Sequence, residues 1–208
     1  MFKGLTKDLA GTADICSAVT DLAKLHAQTY LVPDGDEQIL FAFESAKEEF
    51  AFTNQALIMV CGENATTTRK LIERFEYRDF AVTNVQFETT GRVDRDCEIK
   101  FTLGGEKHVS IDIAKKEEDA VKKYYKVLLA LARAQEERAR NWKFAQDGLQ
   151  SASQSLKLGK LEPTETNGGL AGYASQTLGW LTQDFERLNP RCYKSVIVNV
   201  LAGQASKE

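Results

Sequence analysis

The sequence has few of the residues that usually carry enzyme chemistry near neutral pH. It holds two histidines, His26 and His108, the only side chains that ordinarily titrate in that range. It contains no GxSxG, HExxH or Walker motif, and the Gly104–Lys107 stretch lacks the spacing of a phosphate-binding loop. The sequence therefore predicts a protein that is not an enzyme, and it offers no candidate catalytic residue.

The cysteines are few and far apart, and none forms a CxxC pair. They are Cys16, Cys61, Cys97 and Cys192. Zinc ligands usually come in close pairs, and a calcium loop needs more oxygen ligands at fixed offsets than Asp94-x-Asp96 supplies. We therefore expect no metal and no cofactor. No secretory signal is visible, which predicts reduced thiols and a cytoplasmic location.

An excess of one charge and a long apolar run are also lacking. The chain has 27 basic and 30 acidic residues, a net charge of -3. This balance does not suit a phosphate backbone, so we expect no nucleic-acid partner. No run approaches the roughly 20 apolar residues that span a bilayer.

The spacing of apolar residues changes from helical to alternating near residue 37. Residues 5–28 carry Leu9, Ile15, Leu22 and Leu25 at helical spacing, which predicts an N-terminal amphipathic helix. Strand patterns follow at 38–43, 49–53, 56–61, 71–75, 81–87, 97–103 and 108–113. No helix intervenes between these seven strands, so the pattern predicts an antiparallel barrel or sandwich.

The last two strands show the clearest alternation. Ile99, Phe101 and Leu103 share one face, and Val109, Ile111 and Ile113 form the matching row beyond a turn at Gly104-Gly105. This pattern predicts a hairpin with one buried face.

A long helix is predicted over residues 117–157, roughly 60 Å at 1.5 Å per residue. A small barrel cannot cover that length, so its distal part needs another surface. Residues 158–170 form a linker rich in Gly, Pro and Thr, and a helix is predicted over 171–188. The last element, near Val196–Leu201, is either a strand or a helix.

Three stretches resemble the bacterial pleckstrin-homology (PH)-like domain family. The segment Phe87–Phe101 is similar to its signature of an aromatic-to-Gly turn, an Asp-x-Asp pair and an acidic–apolar–Lys–aromatic strand. Phe50–Asn54 and the opening Phe2–Leu5 are also similar to family segments. The family commonly has basic residues where this chain has Gln55-Ala56. The resemblance covers about residues 1–133.

The resemblance implies a PH-like seven-stranded antiparallel barrel closed by a long C-terminal helix, with an N-terminal helix and a helical tail. We predict an N-terminal helix over 1–33, the barrel and the start of its closing helix over 34–133, a helix extension over 134–157, and a linker with helical tail over 158–208. The resemblance also implies protein contacts and a tendency to form homo-oligomers, without catalysis.

Two functions from different classes remain open. The first is a non-catalytic scaffold module that assembles with itself or with another protein. Its candidate interface consists of Tyr125, Leu129, Trp142, Phe144, Trp180 and Phe185, because large aromatic and apolar side chains are common interface anchors. The alternative is a peripheral membrane or phospholipid-binding module. Its candidate anion loop consists of Arg69, Lys70 and Arg74, although the Glu-rich 43–50 stretch disfavours an inositol phosphate.

Overall fold

The structure is a computed structural model of the 208-residue chain, and it describes residues 14–33, 36–62, 69–89, 96–158 and 169–203. The strands in the described residues are β1 Ser17–Ala18, β2 Ile39–Glu44, β3 Glu48–Thr53, β4 Ala56–Gly62, β5 Lys70–Glu76, β6 Val82–Glu88, β7 Asp96–Leu103 and β8 Lys107–Ala114. They form two antiparallel sheets, with order β1-β2-β3-β4-β5 in one and β6-β7-β8 in the other. The seven predicted strands are thereby confirmed, and β1 is an additional one.

The strands do not close into the predicted barrel. In the described part of the chain, β5 ends one sheet, β6 begins the other, and β5 and β6 are not paired with each other. The two predicted apolar rows lie on paired strands, with Ile99 opposite Ile111 and Phe101 opposite Val109. All four side chains are buried, so one face of this sheet lies on the core.

The helices are α1 Glu118–Leu158, α2 Gly169–Leu188 and α3 Lys194–Leu201. The long closing helix and the helical tail are thus confirmed, and the element left open at the C-terminus is a helix. Most of the predicted linker, 159–168, lies outside the described residues.

The N-terminal α-helix predicted over residues 5–28 is wrong from residue 14 onward. After β1, the chain forms two 3-10 helices, Leu22–Lys24 and His26–Tyr30. A 3-10 helix also places residues i and i+3 on one side, so the spacing of Leu22 and Leu25 suits either helix type. Residues 5–13 of the prediction lie outside the described residues.

This N-terminal segment covers the outer face of the five-stranded sheet. Leu25 and Ala27 are buried there with Ala51, Ile58 and Val60. The central strands are therefore covered on both faces, which explains why β4 is a continuous apolar run and not an alternating one.

The main core lies between the inner faces of the sheets and the first half of α1. Phe41 stacks on Phe52 with ring centroids 4.3 Å apart, and Tyr124 of α1 stacks on Phe41 at 5.0 Å. Val121, Leu128 and other apolar residues of α1 are buried in the same cluster.

The chain divides into two compact units. The first unit comprises residues 1–134 and 192–208, and the second comprises Gln135–Arg191. The C-terminal segment belongs to the first unit because Tyr193 and Ile197 are buried in its core. Tyr193 lies edge-on to the buried Tyr77 at 6.1 Å, and its backbone N–H donates to the carbonyl of Asn54 at 2.7 Å. The tail therefore docks on its own sheets through α3.

Candidate functional site

The second unit, called here the helical unit, consists of α2 together with the part of α1 that follows residue 134. Trp142 of α1 lies edge-on to Phe185 of α2, with ring centroids 5.1 Å apart. A groove of about 530 Å³ lies between the two helices. Its lining residues include Phe144, Ala145 and Leu149 of α1 and Trp180 and Leu188 of α2. Four predicted interface residues, Trp142, Phe144, Trp180 and Phe185, are thus brought together.

The helical unit leaves its large apolar side chains in contact with solvent. Phe144 is 67% exposed, Leu178 is 64% exposed and Trp180 is 47% exposed. Among the side chains described between Gln135 and Arg191, no hydrophobic one is buried. The described side chains of the helical unit therefore enclose no apolar core, and a helix pair of this kind normally packs its apolar side against further helices.

On the α2 side of the groove, the apolar surface carries little uncompensated charge. The sequence has no charged residue from Gly169 to Gln183. At the rim of the groove, Arg187 pairs with Asp184 one turn earlier on the same helix, at 2.8 Å. This surface would therefore meet another uncharged surface without like-charge repulsion.

Tyr125 and Leu129, the other two predicted interface residues, lie in the first unit. Tyr125 packs on Phe87 of β6 with ring centroids 5.9 Å apart. The side chains of Tyr125 and Leu129 are both half-buried. Tyr125 therefore helps to hold α1 on the second sheet, and the six predicted residues do not form one surface within a unit.

The predicted anion loop is only partly available for an anion. Arg69 is exposed and Lys70 begins β5, opposite Gly62. Arg74 instead lies between two carboxylates, donating to Glu76 Oε1 at 2.7 Å and to Glu37 Oε2 at 3.0 Å. The Glu37 side chain is fully buried and also accepts from Thr53 Oγ1 at 2.6 Å and from the backbone N–H of Val32 at 2.8 Å.

Arg74 has a structural role, and the pKa of its guanidinium reflects this role. Partial burial lowers the pKa of Arg74, but hydrogen bonds to Glu76 and Glu37 more than offset this and leave the pKa raised. If Arg74 bound a phosphate instead, the buried carboxylate of Glu37 would lose its guanidinium partner, which is unfavourable. An anion site on this loop would therefore rest on Arg69 and Lys70.

Cysteine and histidine chemistry finds little support in the described residues. Burial raises the pKa of Cys16 to about 12 and that of Cys97 to about 11, so both thiols stay protonated. His108 is exposed, and its Nδ1 lies 3.2 Å from the Thr102 hydroxyl. Among the residues described, no group of three or more His, Cys, Asp or Glu side chains is arranged to hold a metal ion.

Comparison with known proteins identifies the first unit. The sequence model of the bacterial PH domain matches residues 10–132, which is more than half of the chain. The chain belongs to the bacterial PH domain family. The PH-like fold expected from the sequence is thereby confirmed, in the form of two packed sheets and a long helix.

Two relatives extend this assignment. The crystal structure of a PH-domain-containing bacterial protein from Exiguobacterium sibiricum is 31% identical, with a TM-score of 0.81, and the match covers 90% of this chain and all of that one. The uncharacterized protein YvbH of Bacillus subtilis (strain 168) is 39% identical over 134 residues, which are 64% of this chain and 65% of YvbH. The chain thus matches less than two thirds of that relative's length.

The PH domain assignment leaves the helical unit outside the family's core. The family match ends at residue 132, three residues before the helical unit begins. Bacterial PH domains are generally non-catalytic, which agrees with the scarcity of catalytic groups in the sequence. In the described ranges, no helix is both long and apolar enough to cross a membrane.

Sequence reasoning did not single out Leu178, although it is among the most exposed large apolar side chains described in this PH domain protein. The signal that identifies it is the uncharged stretch Gly169–Gln183, in which Leu178 and Trp180 are large apolar residues. Sequence reasoning also missed the pairing of Arg74 with Glu37, because the two residues are 37 positions apart in the chain.

Proposed function

We propose that this PH domain protein is a non-catalytic assembly module that associates with further copies of itself through the apolar surface of the helical unit. The observation that carries the proposal is the absence of any buried hydrophobic side chain among those described between Gln135 and Arg191. Phe144, Leu178 and Trp180 supply the exposed apolar area that a partner would cover.

A second copy is the partner that the charge pattern favours. A symmetric contact brings the same patch together from both copies, so the patch must tolerate its own charge. The uncharged stretch of α2 and the closed Asp184–Arg187 pair meet this condition. Two copies of a two-helix unit would form a four-helix arrangement with the aromatic residues inside.

Tryptophan emission tests this proposal directly. The chain contains two Trp residues, Trp142 and Trp180, both in the helical unit. In a Trp142→Phe background, Trp180 reports alone. We expect the emission of a buried indole in that protein and a shift to longer wavelength when Leu178→Lys is added, because the introduced ammonium disrupts the contact between copies.

Two controls complete the experiment. Leu71→Lys in the same background changes an equally exposed leucine in the first unit, at 61% exposure, and is expected to leave the Trp180 emission unchanged. Emission typical of an exposed indole in all three proteins would mean that the patch is uncovered in solution and that the proposal is wrong.

A further inference from the structure

A short segment joins the two sheets and is called here the junction strand, residues Asp14–Ala18. Its Ser17 and Ala18 pair with β2. On its other side, the backbone N–H of Cys16 donates to the carbonyl of Asp112 at 2.7 Å, and the N–H of Ala114 donates to the carbonyl of Cys16 at 3.0 Å. The junction strand therefore holds β2 of one sheet and β8 of the other.

A row of like charges runs across the second sheet to this junction. Glu88, Glu98 and Asp112 lie directly opposite one another on β6, β7 and β8. Like charges in cross-strand pairs destabilise a sheet. Lys100 compensates the first two, at 2.7 Å from Glu88 and 2.6 Å from Glu98, and Ser110 donates a hydrogen bond to Glu98.

Asp112 ends the row on the side of the junction strand. Its charged form is repelled by Glu98, Asp96 and Asp14, and attraction to Lys100 offsets only part of this repulsion. Partial burial further disfavours the charged form of Asp112.

Glu48, at the start of β3, interacts electrostatically with Asp14 and Cys16 of the junction strand. Its charged and titratable neighbours in the described part of the chain are Asp14, Cys16, Lys47, Cys61 and Asp112. Lys47 is the cation among them, and it pairs with Asp14 at 3.0 Å.

The two carboxyl groups therefore hold protons more tightly in the folded protein. Burial first, and then Asp14 and Asp112, raise the pKa of Glu48. Burial first, and then Glu98, Asp96 and Asp14, raise the pKa of Asp112. The folded-state pKa lies above the ordinary value of 4.5 for Glu48 and of 3.8 for Asp112. The stability that each group contributes is therefore fully present below its ordinary pKa, and it is lost as the pH rises through its folded-state pKa.

We propose that the junction strand is a pH-sensitive clamp, which holds the two sheets together more tightly when Glu48 and Asp112 are protonated than when both are charged. The proposal is independent of self-assembly, because every group in it belongs to the first unit. Mild acidification closes the clamp, and neutral solution loosens it.

Amide hydrogen exchange on the full-length chain tests the clamp. The readout is the protection of the Cys16 and Ala114 amides after the chemical dependence of exchange on pH has been divided out, relative to the Ile58 amide in the middle of β4. As the pH falls from about 7 to 4.5, we expect the relative protection of both amides to rise several-fold. In the double variant Glu48→Gln with Asp112→Asn, protection at neutral pH should already equal the acid value.

The matched control is Glu106→Gln, in the exposed turn between β7 and β8, which should retain the pH dependence of the unmodified protein. A flat pH profile in the unmodified protein would overturn the proposal. So would a pH dependence that survives in the double variant, because the carboxyl groups of Glu48 and Asp112 would then not be its source.

Discussion

The two units of this chain differ in how they bury apolar surface. The first unit encloses Phe52, Leu128 and many other fully buried side chains between two sheets and a helix. Ile197, near the end of the chain, is buried in the same core. The described side chains of the helical unit include no buried hydrophobic residue. The first unit is therefore stabilised from within, whereas the proposed function assigns the covering of the helical unit's apolar side chains to a second copy.

The largest expected difference between the units comes from truncating a phenylalanine in each. Phe52→Ala removes a side chain that stacks on Phe41, and we expect a loss of about 3–5 kcal/mol in the free energy of unfolding. Phe144→Ala removes an exposed ring and should change that free energy by about 0.5 kcal/mol or less. Urea unfolding followed by far-UV circular dichroism, at protein concentrations low enough to dissociate the copies, measures both. Similar losses in the two variants would remove the distinction between the units.

Two arginines provide the next contrast. Arg74→Ala leaves the fully buried carboxylate of Glu37 without its guanidinium, and we expect it to cost about 2–3 kcal/mol, below the full range for a buried pair because Arg74 is itself 21% exposed. Arg187→Ala removes an exposed pair within one helix turn and should cost about 0.5 kcal/mol or less.

The same unfolding experiment reads out the arginine variants. A negligible effect of Arg74→Ala would show that Glu37 finds another partner, and it would return Arg74 to the candidate anion loop. Restoring the ion pair with Arg74→Lys should recover part of the lost stability.

Glycine substitutions give the smallest of these contrasts. Gly104, in the turn between β7 and β8, has a φ of +59°, and an added Cβ would lie 2.9 Å from Phe80 Cδ1. We expect Gly104→Ala to cost about 1–2 kcal/mol. Gly179→Ala, in the middle of α2 with open space around it, should stabilise the helix by up to about 1 kcal/mol.

Thermal melts recorded by circular dichroism distinguish the two glycine variants by the sign of the shift. A melting temperature for Gly104→Ala that equals that of the unmodified protein would mean that the turn relaxes away from Phe80 at little cost.

Local patterns made much of the first unit predictable from the sequence. The alternation in β7 and β8 predicted both strands and their shared apolar face, because one face is buried and a shift of one residue would expose the whole row. The Gly104-Gly105 turn was predictable because glycine adopts positive φ without steric cost, and both residues do so in the structure.

Features that depend on distant parts of the chain were not predictable in this way. The apolar run of β4 indicated burial on both faces, but it could not indicate that the segment containing Leu25 and Ala27 provides the cover. For the same reason the sequence left the docking of Tyr193 and Ile197 open. In the helical unit, the sequence predicted aromatic anchors, and only the structure shows that Phe144 and Trp180 share one groove while Tyr125 packs elsewhere.

The mass of the intact chain in solution shows whether the helical unit is an interface between copies. Truncating the chain would be a poor substitute, since residues 192–203 contribute to the core of the first unit. Light scattering should give a multiple of 23.2 kDa for the unmodified chain and for Leu71→Lys, and 23.2 kDa for Leu178→Lys at the same concentration. A mass of 23.2 kDa for the unmodified chain, or a multimer that dissociates with Leu71→Lys but not with Leu178→Lys, would mean that the helical unit is not an interface between copies.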